Sequence, residues 1–417
     1  MPIIADLHVH SSYAQAVSPR MTLAELQRQA EIKGIHLIGT GDFTHPLHFK
    51  AIEDQLESAE PGIFKMKNSQ SPVRFMLSAE VSNIFYGKMR QEKRIHTLLL
   101  APSLEVVRKL NQELALWGHL DEDGRPTFRR HVKDLIRFTR GLHPDILPIP
   151  AHAWTPWYSL FGSNYGFNSI EECFEEETPY IHAVETGMDC DPAMIQRVSQ
   201  LDGVACVSFS DAHSPERIGR EATLFGTAMD YSAMIRAIRE RNPAQLLGTL
   251  ETDSRYGKYF WDGHRKCNIS LSPSETRKRK YLCPVCKNKV TIGVAHRVET
   301  LAQRPEGWKS ASAIPFQTIL PLEEIIAHAL ERDKNSKAVE TEYTQLIQKL
   351  GPELKILLEV TGSDLHLAAH PLIAEAITAL REKNYSVIPG YDGVWGKPEI
   401  ISADRRLVFT RPQMEMF

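Results

Sequence analysis

The stretch IIADLHVH, residues 3–10, predicts an apolar β-strand that ends in alternating aspartate and histidine side chains. Asp6, His8 and His10 alternate with apolar residues and therefore point from one face of the strand at its end. A helix is predicted next, because Thr22 begins a Thr-x-x-Glu capping pattern and Gly34 follows its last turn. A second apolar strand is expected at residues 35–39. This β-α-β beginning predicts parallel strand pairing.

The same alternation continues through about the first 250 residues. A helix is expected at residues 104–117, and it separates two of the strands. The further strands are expected at residues 74–77, 95–101, 146–150, 181–185 and 204–208. Repeated β-α order of this kind predicts an α/β fold with a parallel sheet or barrel. We therefore expect residues 1–252 to form one barrel domain.

Histidine and carboxylate side chains recur at the ends of these strands. They are His8, His10, Asp42, His45, Glu80, His96, His152, His182, Glu185, Asp211 and His213. A barrel of parallel strands brings such residues together on one rim. A single histidine on a strand is usually structural, but the recurrence over six strand ends disfavours that interpretation. Imidazoles mixed with carboxylates suit zinc, manganese or iron, and paired ions activate water and neutralise phosphate.

The motifs DLHVHS, GTGDFTH, the isolated Glu80, His96, PAHAW and SDAHS resemble, in this order, those of the polymerase-and-histidinol-phosphatase (PHP) superfamily. The resemblance implies a distorted (β/α)7 barrel holding two or three divalent ions, zinc, manganese or magnesium. It carries over as metal ligands His8, His10, Glu80, His96, His152, Asp211 and His213. Among them, it implies catalytic roles for His10, Glu80 and Asp211. The second motif departs from the usual Thr-Asp-His pattern and leaves open whether Asp42, His45 or both bind metal, and Gln15 stands where many members have another histidine.

Three of the six cysteines lie in a basic segment, residues 253–309. His264 and Cys267, then Cys283 and Cys286, form two pairs with the spacing of a tetrahedral structural zinc site. His296 is an alternative to His264 as the fourth ligand. A segment this short builds little core of its own, so we expect zinc binding and folding to be coupled.

The same segment is strongly basic although the whole chain carries a net charge of −3. Between Arg255 and Lys309 there are 13 Lys and Arg against 4 Asp and Glu, a difference of +9. The run Arg277, Lys278, Arg279 and Lys280 lies between the two cysteine pairs. Charge with neighbouring aromatic residues is typical of nucleic-acid binding, and the alternative is a solvated loop.

The PHP motifs followed by YGKYFWDGHRKC, CPVC, GVAHRVETLA and PGYDGVWGKPEI resemble the endonuclease Q family over essentially the whole chain. The resemblance implies a nuclease that nicks damaged DNA, duplex or single-stranded, 5′ of deaminated bases (hypoxanthine, uracil, xanthine) or of abasic sites. Two alternatives are a PHP-type small-molecule phosphatase and a catalytically inactive DNA-binding repair scaffold. Loop residues that could read the damaged base are Asn164, Tyr165, Asn168 and Ser169.

Residues 310–417 are expected to form a small α/β domain. Its predicted elements are helices at 322–333 and 372–383 and strands at 355–359, 385–388 and 406–409. The tail residues Gln413, Met416 and Phe417 resemble the short peptides that bind bacterial sliding clamps. No membrane helix or signal peptide is expected, and three lone cysteines suit a reducing compartment, so a cytoplasmic, nucleoid-associated protein is predicted.

Overall fold

The structure is a computed structural model that describes residues 2–310 and 313–400. The strands are β1 Ile3–Asp6, β2 Leu37–Gly39, β3 Leu56–Glu60, β4 Ile63–Met66, β5 Arg74–Tyr86, β6 Glu92–Ala101, β7 Thr127–Phe128, β8 Leu147–Pro150, β9 Ala183–Glu185, β10 Ala205–Val207, β11 Ala222–Phe225, β12 Leu246–Thr252, β13 Asp262–His264, β14 Ile269–Leu271, β15 Phe316–Ile319, β16 Ser386–Ile388 and β17 Lys397–Glu399.

The α-helices of the same residues are α1 Leu23–Lys33, α2 Pro46–Gln55, α3 Leu104–Leu114, α4 Val132–Leu142, α5 Ile170–Phe174, α6 Pro192–Ile195, α7 Tyr231–Glu240, α8 Pro273–Lys278, α9 Val294–Leu301, α10 Leu322–Leu330, α11 Lys337–Leu350, α12 Glu353–Leu358, α13 Gly362–Ala368 and α14 Pro371–Arg381. Short 3-10 turns occur at Glu175–Tyr180, Ser199–Leu201, Pro215–Arg217, Ser254–Tyr256 and Arg265–Cys267.

The strands of the first half form a closed wall. β1, β2 and β5 pair in parallel, β6 pairs with β5 and β8, and β11 returns to β1. The parallel pair β9–β10 fills the remaining gap. On one side of this pair, the Ala153 N–H after β8 donates a 3.0 Å hydrogen bond to the Glu185 carbonyl of β9. On the other side, Ser208 after β10 exchanges hydrogen bonds with Thr223 of β11. The α/β class is therefore confirmed.

The parallel strand pairing that the sequence predicted is wrong for part of this wall. β5–β6, β6–β8, β1–β11 and β11–β12 are antiparallel. The reason is the connection, because β5 turns into β6 through a tight hairpin, whereas a parallel neighbour requires a long crossover. The wall is a distorted barrel for this reason.

Apolar side chains fill the inside of the wall. One buried cluster takes residues from all of its strands, namely Ala5, Leu37, Met76, Leu98, Ile149, Ala183, Val207 and Phe225, together with residues of α7. A barrel packed in this way is a core rather than a pore. The polar site therefore lies at the end of the barrel.

Helix α1 follows the sequence prediction closely. The Thr22 hydroxyl accepts a hydrogen bond from the Glu25 N–H, and Gly34 ends the helix in the left-handed conformation, with φ 85°. Leu26 and Ala30 are fully buried on its inner face and pack in the same core cluster as Ile38 of β2. The capping residues thus fix where the chain turns back toward β2.

The last strand of the barrel sheet comes from beyond the basic segment. β15 pairs in parallel with β12, from Thr249–Phe316 to Thr252–Ile319. Residues 316–319 therefore extend the barrel sheet although they lie in the range 310–417, and the intervening segment leaves and re-enters the sheet.

Helices α10–α14 pack around a separate apolar cluster. This unit contacts α1 through a buried ion pair between Lys33 and Glu353, with 2.5 Å between Nζ and Oε2. The strand predicted at 355–359 is wrong, because those residues lie mainly in α12, which follows Pro352. A short apolar run such as Ile356–Leu358 does not distinguish a strand from one buried helical turn.

The predicted strand at 406–409 and the tail residues Gln413, Met416 and Phe417 lie outside the described residues. Within the described residues, none of the helices combines the length and the apolar character needed to cross a bilayer.

Candidate metal centre

The candidate site lies where several strands of the barrel end. Asp42 comes just after β2, His152 just after β8, and Asp211 shortly after β10. All three have positive φ values, of 40°, 29° and 48°. Residues other than glycine adopt this region at a cost of order 1–3 kcal/mol each, and such strain concentrates at functional sites.

Three side chains form the first group of possible metal ligands. His8, His10 and Asp211 each offer one ligand atom, and these atoms lie within 4.8 Å of one another. The Nε2 atom of His10 lies 3.2 Å from Asp211 Oδ1, and that of His8 lies 3.6 Å from it. All three atoms are buried and have no hydrogen-bond partner among the described residues. Unpaired buried polar atoms are costly, and a shared cation satisfies all three at once.

Glu80, His96 and His152 form the second group. Glu80 Oε1 lies 2.9 Å from His96 Nδ1 and 3.1 Å from His152 Nε2. The same carboxylate also faces the first group, with Oε2 3.5 Å from His10 Nε2. Glu80 is thus shared by both groups, as a bridging ligand is in a two-ion site.

Two further carboxylates accept hydrogen bonds from the Nδ1 atoms of the first-group histidines. His8 Nδ1 donates to Glu185, at 2.9 and 3.0 Å from its two oxygens. His10 Nδ1 donates to Asp42 Oδ1 at 2.9 Å, and Asp42 Oδ2 accepts from the backbone and hydroxyl of Ser11. A proton on Nδ1 leaves the Nε2 lone pair free, which is the usual arrangement around a metal-binding histidine.

The surrounding charges favour a cation between the groups. Burial disfavours the charged form of His8, but Glu185 and Glu80 outweigh it and raise the pKa of His8 to about 9. Burial likewise opposes the charge on Glu80, but His96 and His8 hold its pKa well below the usual range. Since the Glu80 carboxylate stays ionised, its negative charge attracts a divalent ion as well as a proton.

One cation near the centre was missed by the sequence analysis. Arg125 Nη1 lies 3.2 Å from Glu80 Oε2, on the side chain that joins the two groups. Arg125 precedes the two-residue strand β7, which is too short to leave a sequence signal. An arginine at this position can bind a phosphate oxygen opposite the metal ligands.

The centre opens into a cleft of about 750 Å³. Its lining includes His96, His152, Asp211 and His213 of the centre and its surroundings. It also includes Arg217, Lys258, Tyr259 and Trp395, and Arg217 and Lys258 lie 5.3 and 5.8 Å from the Trp395 ring centroid. The cleft therefore combines histidine and carboxylate side chains with basic and aromatic ones.

A separate group of ligand atoms lies in the basic segment. His264, Cys267, Cys283 and Cys286 place their ligand atoms within 4.8 Å of one another, and Cys286 Sγ lies 3.6 Å from His264 Nδ1. The alternative fourth ligand, His296, lies elsewhere, buried in α9 with Nδ1 2.5 Å from Asp262 Oδ2. Three thiol groups and an imidazole at this spacing fit a tetrahedral zinc ion.

A family model described as the MJ0043 C-terminal domain matches residues 321–384, which contain all of helices α10–α14. The uncharacterized protein MJ0043 of Methanocaldococcus jannaschii is 29% identical over 255 residues, 59% of this chain and 31% of that protein. This chain thus covers less than a third of that relative. The uncharacterized protein YqxK of Bacillus subtilis is 26% identical over 414 residues, 95% of this chain and 98% of that protein.

Two solved structures match along the whole chain. The lesion-specific endonuclease PfuEndoQ of Pyrococcus furiosus superposes with a TM-score of 0.85 at 28% identity, covering 96% of both chains. Endonuclease Q in complex with a 27-mer duplex that has an abasic lesion at the active site superposes with a TM-score of 0.86 at 27% identity, covering 100% of both. The chain has the endonuclease Q fold. The resemblance found in the sequence motifs and the predicted barrel class are thereby confirmed.

Three predicted ligands of this chain lie beside the two ligand groups rather than in them. Asp42 is engaged with His10, as described above. His45 is buried with its ring stacked on Tyr13, 4.4 Å between centroids. The His213 ring lies 4.7 Å from that of His10, and its Nδ1 lies 3.5 Å from Asp211 Oδ1. Their roles as metal ligands stay predictions.

The basic run, residues 277–280, is exposed. Arg277, Lys278, Arg279 and Lys280 end α8 and follow it, and Arg277 pairs with Glu299 at 2.7 Å. The loop residues proposed to read a base lie apart from the cleft lining. Asn168 Oδ1 accepts from Arg297, Ser169 caps α5, and Tyr165 lies under the Arg94 guanidinium. Asp189 does line the cleft, and burial raises its pKa to about 7.

Proposed function

We propose that this chain is a metal-dependent DNA endonuclease that hydrolyses the phosphodiester 5′ of a damaged nucleotide. The damage would be a deaminated base (hypoxanthine, uracil or xanthine) or an abasic site. The observation that carries the proposal is the Glu80 carboxylate, which is shared by two groups of ligand atoms beside an open cleft. The three atoms of the first group have no hydrogen-bond partner among the described residues. The endonuclease Q fold over the whole chain supports DNA as the substrate.

We propose two catalytic divalent ions, zinc, manganese or magnesium, and one structural zinc. His8, His10 and Asp211 would hold one catalytic ion and His96 with His152 the other, and Glu80 would be available to both. Ions at these positions lower the pKa of water and offset the charge of a phosphate. The donor atoms fit, because the two Nε2 atoms and Asp211 Oδ1 are buried without other partners.

Side chains beside the metal centre and in the cleft would position the substrate. Arg125, 3.2 Å from Glu80, would bind a non-bridging oxygen of the scissile phosphate and so hold the phosphorus over the centre. Arg217 and Lys258 in the cleft would bind neighbouring phosphates, and the Trp395 ring would offer a stacking surface. A damaged nucleotide leaves the base stack at lower cost when its pairing is weak, which gives selectivity before chemistry.

Two further contacts belong to this proposal. Arg277, Lys278, Arg279 and Lys280 would bind DNA phosphates outside the cleft, since all four are exposed. The tail residues Gln413, Met416 and Phe417 would bind a sliding clamp, which the tail sequence alone supports. Neither contact is needed for hydrolysis itself.

A denaturing gel tests the proposal. Purified protein with Mg²⁺ or Mn²⁺ is incubated with a 5′-labelled duplex that contains one deoxyinosine, deoxyuridine or abasic site. One cut immediately 5′ of the lesion, absent from undamaged duplex, is expected. Asp211→Asn should abolish the cut and spare DNA binding. Asp202→Asn is the matched control, because Asp202 pairs with Arg304, outside both ligand groups.

The other outcomes separate the alternatives. Release of phosphate from small esters without any cut in DNA would establish the small-molecule phosphatase. Tight binding of lesion DNA with no hydrolysis of either substrate would establish the inactive scaffold. Either result would refute the endonuclease.

A further inference from the structure

The hairpin β5–β6 extends well beyond the barrel wall. Its antiparallel ladder runs through ten residue pairs, from Leu77–Ala101 to Tyr86–Glu92. β5 is parallel to β2, and both run toward the rim that holds the metal centre. Beyond Glu80, β5 continues for six residues to Tyr86, which is about 20 Å at ~3.3 Å per residue. The hairpin tip therefore projects from the face that DNA must approach.

The tip presents apolar side chains to solvent between cations. Met89 is 85% exposed and Tyr86 is 68% exposed. The turn is closed by hydrogen bonds between Gly87 and Gln91 and from the Arg90 N–H to the Gly87 carbonyl, each of 2.9 Å. Lys88 and Arg90 flank Met89 in sequence, and Lys88 Nζ lies 3.5 Å from Glu175. Two large apolar side chains thus lie exposed beside two cations at the tip of one hairpin.

The lower part of the hairpin is firmly held. The Phe85 ring lies 4.1 Å from that of His131, and Asn83 Nδ2 donates to the Arg130 carbonyl at 3.1 Å. β7 pairs with Ser82 and Asn83. The tip thus extends from a firmly packed part of the hairpin, and the same two strands position Glu80 and His96 of the metal centre.

The residues around β7, which packs beside the hairpin, add positive charge. Arg129 and Arg130 are exposed at its outer end, and Arg125 lies at its inner end beside Glu80. A row of cations therefore leads from the metal centre toward Lys88 and Arg90. Such a row matches the spaced negative charges of a nucleic-acid backbone better than it matches an apolar protein surface.

We propose that the hairpin tip is a DNA wedge, in which Met89 enters between base pairs and Lys88 and Arg90 bind the flanking phosphates. The inference rests on the proposed function, because it places the wedge on the same duplex that is cut. The tip lies about 20 Å from the centre, which corresponds to about six base pairs at ~3.4 Å each. Apolar side chains inserted between base steps are a known way to unstack and kink a duplex.

A fluorescence experiment tests the wedge. A series of duplexes carries one abasic site, a methylphosphonate at its 5′ linkage to prevent cutting, and one 2-aminopurine at successive positions on either side. With the metal-loaded protein, fluorescence should rise at a position about six base pairs from the lesion, where the base is unstacked. Met89→Ala should remove this rise. Leu367→Ala is the matched control, since Leu367 is 86% exposed on α13, outside the hairpin.

Charge reversal gives a second readout. In Lys88→Glu/Arg90→Glu, two phosphate contacts are lost, so the slope of log K against log salt should decrease by about 2. If the wild type nicks lesion DNA but shows no distant fluorescence rise, or if Met89→Ala keeps it, the wedge is refuted and the endonuclease stands. If the wild type does not nick at all, the failure belongs to the proposed function.

Discussion

Replacing Glu185 by glutamine should weaken metal binding at both groups. The carboxylate accepts from His8 Nδ1 at 2.9 and 3.0 Å, and its Oε2 accepts from the His152 backbone N–H at 2.6 Å. Glu185 therefore positions one residue of each group. A glutamine has a single acceptor oxygen, so its NH2 group must face one of these two donors.

The size of the effect follows from these contacts. Loss of a carboxylate that orients a metal-binding histidine costs about 10- to 100-fold in metal affinity, or about 1.4–2.8 kcal/mol. The negative charge that favours a cation at His8 is lost as well. We expect the variant to need correspondingly more metal for half-maximal nicking, and excess metal should restore most of the rate. Since Glu185 acts through His8 and His152, it is a positioning residue.

Competition with a chromophoric chelator measures the affinity directly, without reference to activity. Glu177→Gln is the matched control, because Glu177 is also a buried carboxylate but pairs with Arg137 and Arg140 on another part of the barrel. Unchanged metal affinity in Glu185→Gln would refute the role assigned to it. An equal loss in Glu177→Gln would point to general destabilisation instead.

Other predictions concern separate parts of the chain. Arg125→Gln should lower kcat for nicking by about 10²-fold with little change in DNA affinity, measured by single-turnover cleavage and anisotropy, because a charge aimed at the phosphate is lost. Cys283→Ser should remove one zinc per chain and expose the basic segment to protease, since its buried cluster is very small. Burial raises the pKa of Glu251 to about 8, so the protonated side chain contributes its full stability below about pH 4 and this contribution is lost as the pH rises through 8. Between these pH values the thermal midpoint of Glu251→Gln should therefore fall less than that of the wild type. Deleting residues 413–417 should remove clamp binding in surface plasmon resonance without changing the nicking rate, whereas unchanged clamp affinity would contradict the tail assignment.

The barrel and the two ligand groups were largely predictable from the sequence. His8, His10, His152 and Asp211 follow or end apolar runs, so their places on the rim follow from strand geometry. His96 instead opens its apolar run and reaches the same rim because β6 is antiparallel to β5. Gly34 and Thr22 marked the limits of α1 for equally local reasons. The cysteine spacing likewise predicted a group that the structure brings within ligand distance.

Contacts between distant segments were not predictable in this way. Arg125 reaches Glu80 from a loop whose sequence, rich in Asp and Gly, indicates only a turn. Glu185 was recognised at a strand end, but its hydrogen bonds to His8 and His152 depend on how β9 fits beside β1 and β8. The choice between His264 and His296 depends on Asp262, which binds His296 and keeps it in α9. The antiparallel β5–β6 pairing also went unseen, because alternation along the chain does not reveal strand direction.

The pairing of β15 with β12 has a consequence for synthesis on the ribosome. The barrel sheet gains its last parallel strand only after residues 316–319 have been made, some 64 residues after β12 ends at Thr252. At ~5–20 residues per second this leaves the outer edge of β12 open for about 3–13 s. The basic segment, residues 253–309, is made within that interval, so the unpaired edge of β12 is open to other chains until β15 arrives.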